Sequence, residues 1–290
     1  MGGGSWTSTA YCSYTATTRG MTAETYADSR TYINVQDAFK ARGLDPALNP
    51  HGVTRECLDS EEHPNTVPVI LALDVTGSMG KAATMVSKKL GQIMEKIYEY
   101  GKVKDIEFCV MAIGDLAYDR APVQISQFES DIRIAEQLDK VWFEGGGGGN
   151  AFESYTAAWY MGLYHCKLDC WKRGERGIII TLGDEQLNPY LSKARILQFI
   201  GDSIQEDVET PSLYQQAVQK YNIHHISVND QECCYERNNY GGVLDRSWQE
   251  LLNENYHVST IEGLEDMITN IVVGEFAGTA ESTTIQEISW

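Results

Sequence analysis

The stretch VPVILALDVTGSMG, Val67 to Gly80, runs apolar for seven residues and then turns into Asp74, Thr76 and Ser78. A half-exposed strand alternates apolar with polar residues, so an unbroken run of this length predicts a strand covered on both faces of a sheet. Three later runs have the same character: IEFCVMAI, IIITL and IHHISV. Between the first two strands, Met79, Ala82, Ala83, Val86, Leu90, Ile93 and Ile97 fall on one face at helical spacing, which predicts a crossover helix. A second helix is expected over residues 151–171, where Phe152, Tyr155, Trp159, Leu163, Cys166 and Cys170 repeat the pattern; others are expected near Trp248 to Leu252 and over Leu264 to Val273. APVQISQF, beyond the turn-prone GDLAYDR, reads as an antiparallel hairpin partner at a sheet edge. The pattern predicts an α/β fold: a doubly wound, mostly parallel sheet with one antiparallel edge strand and helices on both faces.

Residues 1–66 are rich in Ser, Thr, Gly and Tyr, with one short helix expected around VQDAFKARG, and read as an irregular extension wrapping the core. The domain proper spans 67–275, and 276–290 reads as a polar C-terminal tail. With 41 acidic against 23 basic residues the formal charge is -18, a surface that repels nucleic acid phosphates and anionic membranes. No apolar run approaches the roughly 20 residues that cross a bilayer, and the start MGGGSWTSTAYCSY has neither part of a secretion signal. Trp6 stands where a myristoylation motif needs Ser or Thr. Seven cysteines, odd in number and irregular in spacing, read as reduced thiols. A cytoplasmic protein that contacts neither nucleic acid nor membrane is expected.

Ligands of open α/β sheets bind at the carboxyl ends of the strands, where Asp74, Thr76 and Ser78 sit. A tight turn at Gly77 lets these three residues aim oxygens at one point, as a hard divalent cation requires. Helix capping needs only one such residue. Two other places supply matching oxygens: GGGGGNAFES, with Asn150, Glu153 and Ser154, and the end of IIITLGDE, with Asp184. The metal expected is magnesium or manganese. Cys166 and Cys170 are read as core packing on the helix, and Asp115 as a turn residue, with a second role as an acceptor behind the metal ligands left open.

These residues resemble the von Willebrand factor A domain and its metal-ion-dependent adhesion site. Asp74, Thr76 and Ser78 match its Asp-x-Ser-x-Ser motif, and Asp184 matches the Asp after its fourth strand. Where the family carries Gly-Gly-Thr, this chain has Gly148, Gly149 and Asn150. In a subset reading Asp-x-Thr-Gly-Ser-Met a Glu follows the glycines, so the order of candidates here is Glu153, then Asn150, then Ser154. The resemblance covers about 67–275, and with the flanking sequence it is similar to poorly characterised bacterial and bacteriophage A-domain proteins. It implies a non-enzymatic interaction module in which a partner Asp or Glu completes the metal's coordination; intracellular relatives often serve as adaptors, some with ring-shaped AAA+ ATPases. The long connection Asn229 to Gly242 leaves the same rim, and Tyr235, Arg237 and Tyr240 are residue types that anchor interfaces. Two alternatives stay open. DVTGS also resembles haloacid-dehalogenase-like phosphotransferases, which would make Asp74 a nucleophile, Asp184 a magnesium ligand and Lys172 a phosphate clamp. A structural component of a phage or cellular particle, stapled by the metal, is the other.

Overall fold

The computed structural model of the chain describes residues 4–28, 30–101, 105–146, 150, 152–230 and 235–282, with side chains at 235–238 and 276–282 left out of the description. The N-terminal region holds α1 (Ser8–Arg19), α2 (Ala23–Ala27), α3 (Val35–Ala38) and β1 (Arg55–Cys57). Then follow β2 (Val67–Asp74), α4 (Gly80–Glu99), β3 (Ile106–Ile113), β4 (Val123–Ile125), α5 (Arg133–Leu138), β5 (Phe152–Glu153), α6 (Thr156–His165) and β6 (Cys166–Leu168). After β7 (Gly177–Gly183) come β8 (Gln186–Leu187), β9 (Tyr190–Leu191), α7 (Lys193–Phe199), β10 (Val208–Glu209) and α8 (Thr210–Ala217). The chain continues through β11 (Tyr221–Val228), α9 (Tyr235–Leu252), β12 (Tyr256–Ser259) and α10 (Leu264–Ser282).

Six strands form the central sheet in the order β12-β11-β7-β2-β3-β4. All neighbours are parallel except β3 and β4, which pair antiparallel through Met111↔Ile125 and Ile113↔Val123. This is the doubly wound architecture that the apolar runs predict. Strand side chains alternate between faces, so β2 feeds two cores. Leu71 and Leu73 pack with Val86 and Leu90 of α4 and Ile268 of α10, whereas Ile70 and Ala72 pack with Trp159 of α6 and Trp248 of α9.

The N-terminal region contributes to both layers. Trp6, Tyr11, Phe39 and Leu48 are buried in the α4 layer, and Cys57 in the α6 layer. Gly91 admits Tyr11 against α4, since a Cβ there would stand 2.3 Å from the ring's Cε1. The single helix expected before residue 67 is therefore an undercount. Helix α1 is built from weak helix formers, but Thr7 accepts from the Ala10 N–H at its start and Gly20 closes it at φ 68°. The helix expected to reach residue 171 ends at His165. There the chain turns extended as β6, which pairs in parallel with β1, and the His165 ring bonds the Val53 carbonyl and Asp202. Cys166 and Cys170 consequently lie on β6 and in the short turn after it, not on a helix; both remain buried in the core. The segment 229–242, read as a loop, is helical from Tyr235, with a break at Tyr240 (φ -128°, ψ 19°) before Gly241 and Gly242. α10 continues past 275 to Ser282.

Candidate metal centre

Because β2, β3, β7 and β11 run parallel, their carboxyl ends share one rim. The pairing Leu73↔Leu182 sets the ends of β2 and β7 side by side, so Asp74 and Asp184 emerge together, both fully buried. Asp74 Oδ1 accepts from the Thr76 N–H at 2.8 Å and from the Thr76 hydroxyl. Ser78 donates its hydroxyl to Asp184 Oδ1 at 2.9 Å. The turn itself is stitched to the glycine loop: Gly77 N–H donates to Gly146 O at 2.8 Å, and Gly145 N–H to Val75 O at 3.2 Å.

Glu153 reaches the same rim on β5, which pairs with β8 just beyond Asp184. It is 4 % exposed, and its Oε2 has no hydrogen-bond partner among the described residues. Burial, with the charge of Asp184, pushes the Asp74 carboxyl well above the usual carboxylate range. Burial again, with Asp74 and then Asp115, does the same to Glu153. Asn150 is oriented differently: its amide donates to Asp115 Oδ2 at 2.8 Å and its Oδ1 accepts from the Phe152 N–H. Ser154 accepts from the Leu116 N–H. Asp115 is a turn residue, accepting from the Ala117 N–H, and the same carboxylate holds Asn150.

Tyr155 is the residue that sequence reasoning missed, having been counted only as part of a helix face. Its hydroxyl donates to Asp74 Oδ2 at 2.7 Å and accepts from the Glu185 N–H at 3.3 Å, so it bridges the two strand ends. Gly183 makes room for it, because a Cβ there would lie 1.9 Å from that hydroxyl. Beneath it His225 stacks on Trp248 with ring centroids 3.6 Å apart, and the Trp248 indole donates to Glu185 O. The only available signal was position, a tyrosine directly after the Glu-Ser that opens the helix.

The candidate donors at the rim are Asp74, Thr76, Ser78, Asp184 and Glu153, all oxygen. Among the described residues no three of His, Cys, Asp and Glu gather as a ready-made cage, so hydroxyls and water would have to complete any coordination sphere. The side chains of Tyr235 and Arg237 lie outside the described residues, and Tyr240 is 51 % exposed. Lys172 is at the amino end of the sheet, before β7, paired with Asp169 at 2.6 Å. That placement overturns the phosphate-clamp role considered for it.

The strand order, the antiparallel edge and the motif at the end of β2 define a fold of the von Willebrand factor A type. Solved structures of that shape are similar to it. A pilus adhesin, SpaC from Lactobacillus rhamnosus GG, aligns with a TM-score of 0.50 at 12% identity over 79% of this chain and 31% of its own. The vWF domain of the type V pili tip protein Mfa5 from Porphyromonas gingivalis aligns at 0.41, with 11% identity over 77% of this chain and 98% of that one. BatB from Bacteroides thetaiotaomicron aligns at 0.43, with 12% identity over 74% and 99%. The chain thus spans about a third of the length of the adhesin. No protein-family model matches the chain, and neither does any curated protein. No helix among the described residues is long and apolar enough to cross a membrane.

Proposed function

We propose that the chain is a protein-interaction module that holds a magnesium or manganese ion at the sheet rim and offers it to a carboxylate of a protein partner. The observation that carries this reading is the burial of Asp74 and Asp184 side by side, with Glu153 buried close enough for the charge of Asp74 to act on it. Like charges in a low-dielectric site repel strongly, and a divalent cation reverses the sign of that interaction. Asp74, Thr76, Ser78 and Asp184 would hold the ion, with Glu153 as the glycine-loop ligand. Only hard oxygens are present, which favours magnesium or manganese over zinc. Tyr155 keeps Asp74 oriented with its second oxygen already engaged. The nucleophile reading is disfavoured by the position of Lys172, which is paired with Asp169 before β7, at the other end of the strands from Asp74.

Calorimetric titration with magnesium tests the reading. One ion should bind to the parent and none to Asp74→Ala; equal binding by both would remove the site from the rim.

A further inference from the structure

Beside the Asp74 cluster lies an open cavity of about 640 Å³ that reaches Gly77 and Ser78. Its floor is the start of α4, with Lys81, Thr84 and Met85, and its outer wall is the N-terminal segment Thr31 to Val35. Lys88, 4 % exposed, fixes that wall by donating to the carbonyls of Asp28 and Thr31 at 2.7 and 2.8 Å. Ile33, Val35, Met85 and Ile261 give the lining an apolar part, beside Lys81, Asp230 and Glu262.

The end of α10 is at the other pole of the molecule. Ile261 and Glu262, just before α10, line the cavity, whereas Glu275 bonds Asn222 and His224 in the first half of β11. The helix therefore leads away from the rim and extends to Ser282. The sequence that follows, TTIQEISW (283–290), places one carboxylate, Glu287, among Ile285, Ile288 and Trp290. From Ser282 to the rim of the same molecule is on the order of 30 Å, by the rise of β11 and two helical turns. The five residues to Glu287 span at most about 18 Å. A neighbouring copy is under no such limit.

We propose that segment 283–290 of one copy occupies the rim cavity of the next, with Glu287 completing the metal's coordination and its apolar neighbours packing on Ile33, Val35 and Met85. This rests on the metal reading above. Donor and acceptor surfaces lie at opposite poles, so the contact is heterologous and repeats head to tail instead of closing into a pair. A net charge of -18 opposes it, so the association requires the metal and strengthens with added salt.

Sedimentation velocity of the full chain tests the proposal. With magnesium the parent should form a concentration-dependent series of oligomers, which chelator returns to monomer. Glu287→Gln should weaken association at least about tenfold. Glu287→Gln, with an intact site, and Asp74→Ala, with an intact C-terminal segment, should each be monomeric and together form pairs and nothing larger. Ser78→Ala replaces Asp74→Ala if the latter loses its folded circular-dichroism spectrum. Association of Glu287→Gln that stays within about tenfold of the parent's, or a mixture that forms no pair, overturns the proposal. Magnesium bound in calorimetry without association overturns it and leaves the metal site standing; no magnesium bound overturns both.

Discussion

Acidic residues crowd both ends of the central sheet, with opposite electrostatic consequences. At the amino edge Asp169 sits beside the Lys172 ammonium, which holds its carboxyl below the usual range. Asp59 is also held low, against the effect of its burial, by hydrogen bonds from Arg173 and Thr66. At the carboxyl rim burial and neighbouring carboxylates push Asp74 and Glu153 the other way. Asp59 and Asp169 are neutralised by the chain's own cations and hold loops in place. The donors seen on Asp74 are uncharged, a backbone amide and two hydroxyls, so these hydrogen bonds bring it no positive charge. That contrast separates a structural acid cluster from one arranged for a ligand.

The contrast can be broken most sharply at Asp74. Asp74→Asn should abolish magnesium binding in calorimetry and yet, in chelator, raise the melting temperature above that of the parent, because it removes one of the repelling charges. A lower melting temperature in chelator would mean that the rim is not electrostatically strained. For the parent, magnesium at about a hundred times its dissociation constant should add about 2.7 kcal/mol, read as a thermal shift that chelator removes without unfolding the chain. At the amino edge the expected behaviour is metal-independent. Arg173→Met strips the cation from Asp59 and Glu175 and should cost about 2 kcal/mol, equally with and without magnesium, by denaturant titration. Cys166→Ala should cost about 1 to 2 kcal/mol by loss of packing, with metal content unchanged; zinc lost on the substitution would overturn the core reading.

A further effect expected is a pH dependence unconnected with the rim acids, confined to acid pH and reduced by the half-exposure of its group. His257, half-buried against His224, is held down to about 4 by burial and by that neighbour. Its unfolded value is about 6.5, so above that pH both states are neutral. Between about 6.5 and 4 the unfolded chain binds the extra proton, and this contribution to stability is lost as pH falls through that window. His257→Gln should flatten that part of the stability profile, in denaturant midpoints measured across it, and magnesium should not restore it.

Some of this was legible in the chain because local patterns carried it. The apolar runs at 67–73, 106–113 and 178–182 can be satisfied only by burial on both faces, and that requirement leads directly to a parallel sheet flanked by helices. The helix after β2 is readable from its 3.6-residue stripe. The rim residues were legible for a related reason: in such a sheet any polar residue that ends a buried strand is delivered to the same edge, so Asp74 and Asp184 had to meet whichever helices connected them. Where periodicity was absent, reading failed. Helix α1 has weak propensity and depends on burying Tyr11 against Gly91, a contact 80 positions away in the chain. The helical stripe of α6 continues in sequence through Cys170, but a parallel partner, β1, takes residues 166–168 into a strand.

By itself, then, the sequence determined the layer architecture, the polarity of the strands and the edge on which the carboxylates appear, since each follows from hydrophobic period and strand direction. Only the tertiary structure decided which groups meet at that edge. Tyr155 reaches Asp74 because Gly183 leaves space, Asn150 is taken up by Asp115, and Lys172 is held at the amino end of the sheet. These are pairings between side chains distant in sequence, set by packing volumes and hydrogen-bond geometry that no local pattern encodes.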